Sequence, residues 1–217
     1  MPTYDLCVIT RNVAHLNRTH LDVARAALAG GATIIQFRDK QLDSRALFDL
    51  ALQLRQLARA HGATFIVNDR VDIALASHAD GVHLGQTDLP VAVARRLMGP
   101  PRSLIGCSAT SPAEAEEAEA AGASYLGVGP IYVTGSKPDA GEAIGAAAIA
   151  QIRRAVRIPL LAIGGITCQN VAEVIAAGAD GIAVIAAVAE APDMVAAAAD
   201  LRRCVQEARR ARNPEEQ

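Results

Sequence analysis

The 217-residue chain has no tryptophan, no basic excess and no run of about 18 apolar residues. The formal net charge is only −2, which speaks against a nucleic-acid binder, because such proteins carry a basic patch or stripe. Without a long apolar run, no membrane-spanning helix is expected. The N-terminal MPTYDLCVITRN lacks a basic region followed by a long apolar run, so a secretory signal is not expected and the cytoplasm is the expected location. The four cysteines, Cys7, Cys107, Cys168 and Cys204, form no C-x-x-C pair and are expected to be buried free thiols in a reducing compartment. No Ser/His/Asp order and no His-x-x-x-His spacing emerges, so nothing calls for a covalent nucleophile or a zinc site.

What is present is a folded-protein composition, 51% apolar and 20% charged, in a length that suits one domain with a sizeable core. Alanine is abundant, which favours helices packed closely on a sheet. A phrase recurs along the chain: a small residue or glycine, a short apolar run, then polar residues or glycine. It appears as GGATIIQFRDK (30–40), HGATFIVNDR (61–70), HADGVHLGQ (78–86), AGASYLGVGP (121–130) and AGADGIAVIA (177–186). The runs are short and rich in β-branched or aromatic residues, as buried parallel strands require. Between them lie helix-patterned stretches such as SRALFDLALQLRQLARA (44–60) and PAEAEEAEAA (112–121).

Eight strands are predicted, near 4–9, 33–37, 64–67, 81–84, 104–107, 124–127, 159–163 and 181–184. Strict alternation of strand and helix implies a parallel α/β sheet, and eight units in this length fit a (β/α)8 TIM barrel. The alternative is an open doubly wound sheet, against which no G-x-G-x-x-G loop follows the first strand. A single barrel domain is expected over 1–209, with a polar tail over 210–217.

In such a barrel the chemistry sits where strands end. After the second strand, Gln36, Arg38 and Lys40 share one face and Phe37 and Asp39 the other. If Phe37 packs outward, two cations and an amide point inward and an anion belongs between them, since Arg grips phosphate oxygens with two prongs and Lys adds a point charge. A solvated strand end is the competing reading, and spacing does not decide between the two. Asn68 and Asp69 follow the third strand, and Asp88 follows the fourth. Two carboxylates on adjacent loops suit magnesium. Helix capping is the bland alternative, favoured for Asp88 because Leu89-Pro90 reads as a helix start.

His83, inside the fourth strand, reads as a hydrogen-bonded core residue sooner than as a catalytic one, and His15, His20, His61 and His78 as loop or helix-end residues. The longest irregular stretch, 128–145, carries Thr134, Ser136 and Lys137 beside glycines, which suits phosphate binding or simply a surface loop. Gly164-Gly165 and Ile185-Ala186 follow the seventh and eighth strands, where barrels commonly bind phosphate, although a Gly-Gly turn also has a structural use.

Taken in order, QFRDK (36–40), NDRVDIAL (68–75), ADGVHLGQTDLP (79–90), IGCSA (105–109), GVGPIYVTGSKPD (127–139), AIGGI (162–166) and AGADGIAVIAAV (177–188) make the sequence resemble the thiamine phosphate synthase family over about residues 4–190. The resemblance implies a transferase that joins a pyrimidine diphosphate to a thiazole phosphate, carboxylated or not, with release of diphosphate. It implies that Gln36, Arg38, Lys40 and Asn68 hold the pyrimidine diphosphate and that Ser108 lines the same pocket. Asp69 and Asp88 would ligate Mg2+, Lys137 would contact the diphosphate, and Arg38, Lys40, Ser108 and Lys137 form the expected catalytic set. Thr134, Ser136 and the backbone at Gly165, Ile185 and Ala186 would hold the thiazole phosphate. Two positions depart from the family pattern: Ser136 stands where a second Thr is usual and keeps the hydroxyl, and Ala186 stands where Ser is frequent and loses it.

The implied partners are these small molecules, with neither nucleic acid nor membrane; a homo-oligomer is compatible with the sequence. A related thiazole tautomerase would share the barrel but need neither diphosphate pocket nor metal. A non-enzymatic binder on a decayed barrel would lack site residues, and here the polar set is almost complete.

Overall fold

Each short apolar run becomes a strand: β1 (Leu6–Thr10), β2 (Ile34–Phe37), β3 (Thr64–Asn68), β4 (Gly81–Leu84), β5 (Leu104–Ala109), β6 (Tyr125–Val128), β7 (Leu160–Ile163) and β8 (Gly181–Val184). In the computed structural model, which describes residues 3–99, 103–136 and 141–212, all neighbouring strands pair in parallel and β8 pairs back onto β1, closing the barrel. The (β/α)8 expectation holds, and the open sheet is excluded. β5 runs to Ala109, two residues past its predicted end, so Ser108 lies on the strand rather than after it.

The outer ring consists of α1 (His20–Ala29), α2 (Ser44–Ala60), α3 (Val71–Ala76), α4 (Val91–Met98), α5 (Pro112–Ala120), α6 (Ala146–Ala155), α7 (Val171–Ala176), the short α8 (Ala186–Ala189) and α9 (Met194–Arg212). Local grammar starts several of them. Thr19 and Asp22 form a reciprocal capping box on α1. The Asp43 carboxylate accepts from the Ala46 N–H at 2.8 Å to begin α2. Ser111 caps α5, with proline in its first turn. Of the polar tail expected over 210–217, residues 210–212 belong to α9, where the Arg212 guanidinium donates to the carbonyls of Ile175 and Ala179 at 2.9 and 2.8 Å, and residues 213–217 lie outside the described residues. Asp5, 4% exposed below β1, takes Arg209 and Gln206 of the same helix, which fixes α9 against the barrel.

Alternation along the strands divides the core in two. Outward residues such as Val8, Ile35, Phe37, Val67, Val82, Leu84 and Leu126 pack under the helices. Inward residues make a separate cluster of Cys7, Ile9, Ile34, Ile66, Tyr125, Leu161, Ala183 and Ile185. Gly106 faces this interior between His83 and Tyr125, its register neighbours on β4 and β6. A Cβ there would lie 2.5 Å from His83 Nδ1 and collide with the Tyr125 ring. A side chain at 106 would therefore be incompatible with the way the two rings meet.

Of the four cysteines, all are free thiols; Cys7 and Cys107 are buried as expected, whereas Cys168 and Cys204 are only half-buried. Among the described residues no helix is long and apolar enough to cross a membrane.

The interior packing yields a stability prediction. Gly106→Ala should destabilise the fold by about 1–3 kcal/mol through overpacking, while Gly135→Ala, with nothing within 4 Å of its added Cβ, should stay within about 0.5 kcal/mol of the parent. Urea denaturation of the two variants checks this; equal midpoints would contradict the interior arrangement.

Candidate active site

The C-terminal ends of the strands surround a cavity of about 590 Å³. Its wall includes Gln36, Arg38, Lys40, Asn68, Asp69, Asp88, Ser108, Thr134, Ser136, Gly165, Ile185 and Ala186, so one cavity gathers all the expected site residues that lie in described segments. Lys137 lies outside the described residues.

The β2 end is arranged by alternation. Phe37 is buried outward and meets the His20 ring edge-on, at 5.1 Å between centroids. Gln36, Arg38 and Lys40 therefore face the cavity, and the inward reading of the two cations is the correct one. Asp39 turns outward and accepts from the backbone N–H groups of Gln41 and Leu42 at 2.8 and 3.0 Å. It also meets His20 Nε2 at 3.0 Å, while His20 Nδ1 meets Thr10 Oγ1 at 2.8 Å. Burial pushes the His20 imidazole below its ordinary value against the pull of Asp39, so at neutral pH Nε2–H donates to Asp39 and Nδ1 accepts from Thr10. His20, read as a helix-end residue, is thus a buried brace under the Arg38–Lys40 turn. The Thr10–His20–Asp39 line has triad-like contacts but no nucleophile: Thr10 is 1% exposed and none of the three lines the cavity.

Asp69 follows β3 in a left-handed conformation, φ 64°, held by its own N–H on the His83 carbonyl at 2.8 Å. That conformation is unusual outside glycine, and among L-residues Asp and Asn tolerate it best. It turns the carboxylate toward Lys40 Nζ, 2.9 Å away. The Asp69 carboxyl sits above its ordinary range, first through burial and then through the neighbouring Asp88 carboxylate, with Lys40 opposing both. The Lys40 ammonium is raised, chiefly by its bond to Asp69, and stays charged.

The capping reading of Asp88 is not what the structure shows. Pro90 is the N-cap of α4, with no side-chain cap bond. Asp88 Oδ2 instead accepts from the Gly85 N–H at 2.7 Å, closing the loop after β4 and leaving the carboxylate on the cavity wall.

The opposite wall carries no charged side chain among its described residues. The base of the long loop lies along the end of β7, with Ile131 N–H on the Ile163 carbonyl at 2.8 Å and Tyr132 N–H on the Gly164 carbonyl at 3.1 Å. Gly164 and Gly165 have φ of 96° and 65°, and a Cβ on Gly165 would lie 2.8 Å from Tyr132 Cβ. The Gly-Gly turn thus has the structural use weighed for it: it lets the loop settle here, bringing Thr134 and Ser136 to the cavity. Asn170 fixes the same turn by donating to the Gly165 carbonyl at 2.9 Å. Ile185 precedes α8, and Ala186 and Ala187 open that helix on the cavity wall. First-turn N–H groups have no partner within their own helix.

The cavity residues outside the expected site include His83, Tyr125 and Gln86. His83 is hydrogen-bonded in the core, as read, to Tyr125 Oη and Ser108 Oγ at 3.1 Å each, but it also forms cavity wall. Gln86 Nε2 donates to the Ser108 carbonyl at 2.5 Å. A signal for the first two was present in the strands. In Gly81-Val-His-Leu and Tyr-Leu-Gly-Val128 the aliphatic residues alternate outward, which leaves His83 and Tyr125 inward.

Comparison with known proteins bears on the fold and the family. The model of the family described as thiamine monophosphate synthase matches residues 6–188. The chain is 54% identical over 209 residues to a thiamine-phosphate synthase of Moorella thermoacetica, covering 96% of this chain and 99% of the relative. It is 55% identical over 199 residues to one of Methanoculleus marisnigri, covering 92% and 94%. Among solved structures, a thiamine phosphate pyrophosphorylase from Pyrococcus furiosus superposes with a TM-score of 0.87 at 43% identity, covering 95% of this chain and 98% of that one. On the matched segment and these identities, the chain belongs to the thiamine monophosphate synthase family.

Proposed function

We propose that this chain joins an aminopyrimidine methyl diphosphate to a thiazole phosphate, giving thiamine phosphate and diphosphate. The observation that carries the reading is the division of one cavity into a charged wall, with Arg38, Lys40, Asp69 and Asp88, and an uncharged wall, with Thr134, Ser136, Gly165, Ile185 and Ala186. A thiazole tautomerase would have no use for the charged wall.

On this reading Arg38 and Lys40 grip the diphosphate, Asn68 adds a polar contact, and Gln36 and Ser108 meet the pyrimidine. Thr134, Ser136 and the backbone N–H groups near Gly165 and Ala186 hold the thiazole phosphate. Loss of a hydroxyl at Ala186 leaves its backbone donor in place. The carboxylate pair suits magnesium, which takes few carboxylates and completes its shell with water and phosphate oxygens. The raised Asp69 carboxyl beside Asp88 supports that fit, because two carboxylates brought together are stabilised by a cation. Asp69 and Asp88 would hold the ion, and when bound it would neutralise charge on the leaving group.

The residues of the chain then have three tasks. The cations stabilise diphosphate as the C–O bond breaks. The pyrimidine contacts keep the amino group in conjugation with the methylene cation. The uncharged wall presents the thiazole nitrogen to that carbon. The attacking nitrogen carries no proton, so no general base is needed. The deciding experiment is release of diphosphate from the pyrimidine substrate that depends on added thiazole phosphate.

Asp69→Ala and Asp88→Ala should each lower turnover strongly, and EDTA should abolish parental turnover until excess Mg2+ restores it; full activity in EDTA would remove the metal from this scheme. Arg38→Ala should weaken pyrimidine diphosphate binding by about 2–5 kcal/mol, and Arg38→Lys should rescue it only in part, because the two-pronged grip is lost. Calorimetric titration of both variants measures this. Thr134→Val should raise the thiazole phosphate KM more than it lowers kcat, as expected of a contact made equally in ground and transition states; steady-state kinetics with saturating pyrimidine diphosphate shows whether the split occurs.

A further inference from the structure

Below the charged wall, four polar side chains from neighbouring strands touch in sequence across the barrel interior. Gln36 on β2 and Tyr125 on β6 are 2% and 1% exposed, and His83 on β4 is 8% exposed. The Tyr125 hydroxyl meets the Gln36 amide and lies 3.1 Å from His83 Nδ1. His83 Nε2 lies 3.1 Å from Ser108 Oγ. At the head of this line, Gln36 Oε1 is buried without a hydrogen-bond partner, although it belongs to a residue of the cavity wall. A buried, unpartnered acceptor costs free energy unless something fills it, and its place on the wall points to a ligand donor.

The direction of each bond follows from that orphan. Since Oε1 is unpartnered, the amide group on Tyr125 is Nε2–H, a donor, and it donates to the tyrosine oxygen. Burial keeps the Tyr125 hydroxyl protonated. Its single proton goes to His83 Nδ1, the imidazole nitrogen 3.1 Å away. His83 is then neutral with its proton on Nε2, and donates to Ser108 Oγ. Ser108 keeps its own proton to offer to the cavity. The line thus presents an acceptor at Gln36 and a donor at Ser108. Reversing one end requires every proton in the line to reverse with it, because each hydroxyl or imidazole in it shares one proton between two members of the line.

We propose that His83 and Tyr125 are specificity-determining positioning residues: they lock the hydrogen-bond polarity of Gln36 and Ser108 so that the cavity accepts an aminopyrimidine and rejects its oxo counterpart. The amino form offers an N–H donor beside a ring nitrogen that accepts; the oxo form reverses both. The inference rests on the substrate reading above, and it gives the two rings at the floor of the site a task in recognising the pyrimidine.

The test uses binding, so it stands apart from turnover. The probes are the aminopyrimidine methanol, its oxo analogue and inorganic diphosphate with Mg2+, titrated calorimetrically into the parent, Tyr125→Phe and His83→Gln. The parent should prefer the amino probe by on the order of 10- to 100-fold, the range left by an unsatisfied buried polar group. In Tyr125→Phe, which removes only the hydroxyl, the preference should fall to within about threefold, with diphosphate affinity as in the parent. The ring 15N shifts of parental His83 should report an unprotonated Nδ1 and a protonated Nε2. No parental preference, a parental preference retained in both variants, or a protonated Nδ1 would overturn the proposal. Equal loss of diphosphate affinity would also overturn it, since the rings would then be supporting the whole site. Should the chain fail to join the two substrates while these binding results hold, the reaction assignment falls and the relay stands.

Discussion

Hydrogen bonding between β8 and β1 closes the sheet, and closure forces the inward side chains of eight strands into one narrow interior. A parallel barrel also puts every strand's C-terminal end at the same rim. Residues far apart in the chain, Gln36 and Ile185 among them, thereby line one cavity. Below the rim the interior is filled by Ile9, Ile34, Ile66 and Leu161, so the cavity has a dry floor. On such a floor a hydrogen bond gains strength and an unpartnered polar atom costs more. The unpartnered Gln36 oxygen and the chain of bonds behind it therefore matter in a way that they would not at a surface.

Among the described residues the rim balances its own charge. Arg38 and Lys40 bring two positive charges and Asp69 and Asp88 two negative ones, and Lys40 already bonds Asp69 at 2.9 Å. A mixed cluster of this kind tolerates partial burial where four like charges would not. It also makes ligand entry an exchange. On the proposed reading, an anion arriving at Arg38 and Lys40 would weaken the hold of Lys40 on Asp69, and the carboxylates it leaves would favour a cation. Asp39 stays out of this exchange because His20 and two backbone N–H groups bind it on the outer side of the turn.

Much of this could be read from the chain because it depends on local alternation. Short apolar runs after small residues placed the eight strands within a residue or two, and alternation put Arg38 on the face opposite Phe37, leaving only which face is inward to the structure. The roles that were missed depend on neighbours across strands. Tyr125 meets His83 because Gly106, between them on β5, carries no side chain, and no local window contains all three. His20 reads as a helix start from its surroundings in sequence, yet its partners are on β1 and after β2. Asp88 resembled a cap because Pro90 follows it, whereas its carboxylate turns back to Gly85. Competition between a cap and a loop closure a few residues apart is settled by backbone geometry that the residue types do not encode.

The separation of charged and uncharged walls has a physical reason on the proposed reaction. A carbocation at the pyrimidine methylene is destabilised by any fixed cation close to it, in proportion to the inverse of distance. Cations are useful only on the side where negative charge grows, beside the departing diphosphate. The second phosphate must be held on the far side, where the nucleophile approaches, and a lysine or arginine there would raise the energy of the intermediate it faces. Hydroxyls at Thr134 and Ser136 and backbone N–H groups at the start of α8 line that side, and on the proposed reading they would hold an anion through dipoles, with no net positive charge. Among the described residues every charged group on the cavity wall lies on the loops after β2, β3 and β4, and none on those after β6, β7 and β8. A positive charge introduced at Ala186 should therefore strengthen thiazole phosphate binding and still slow the reaction.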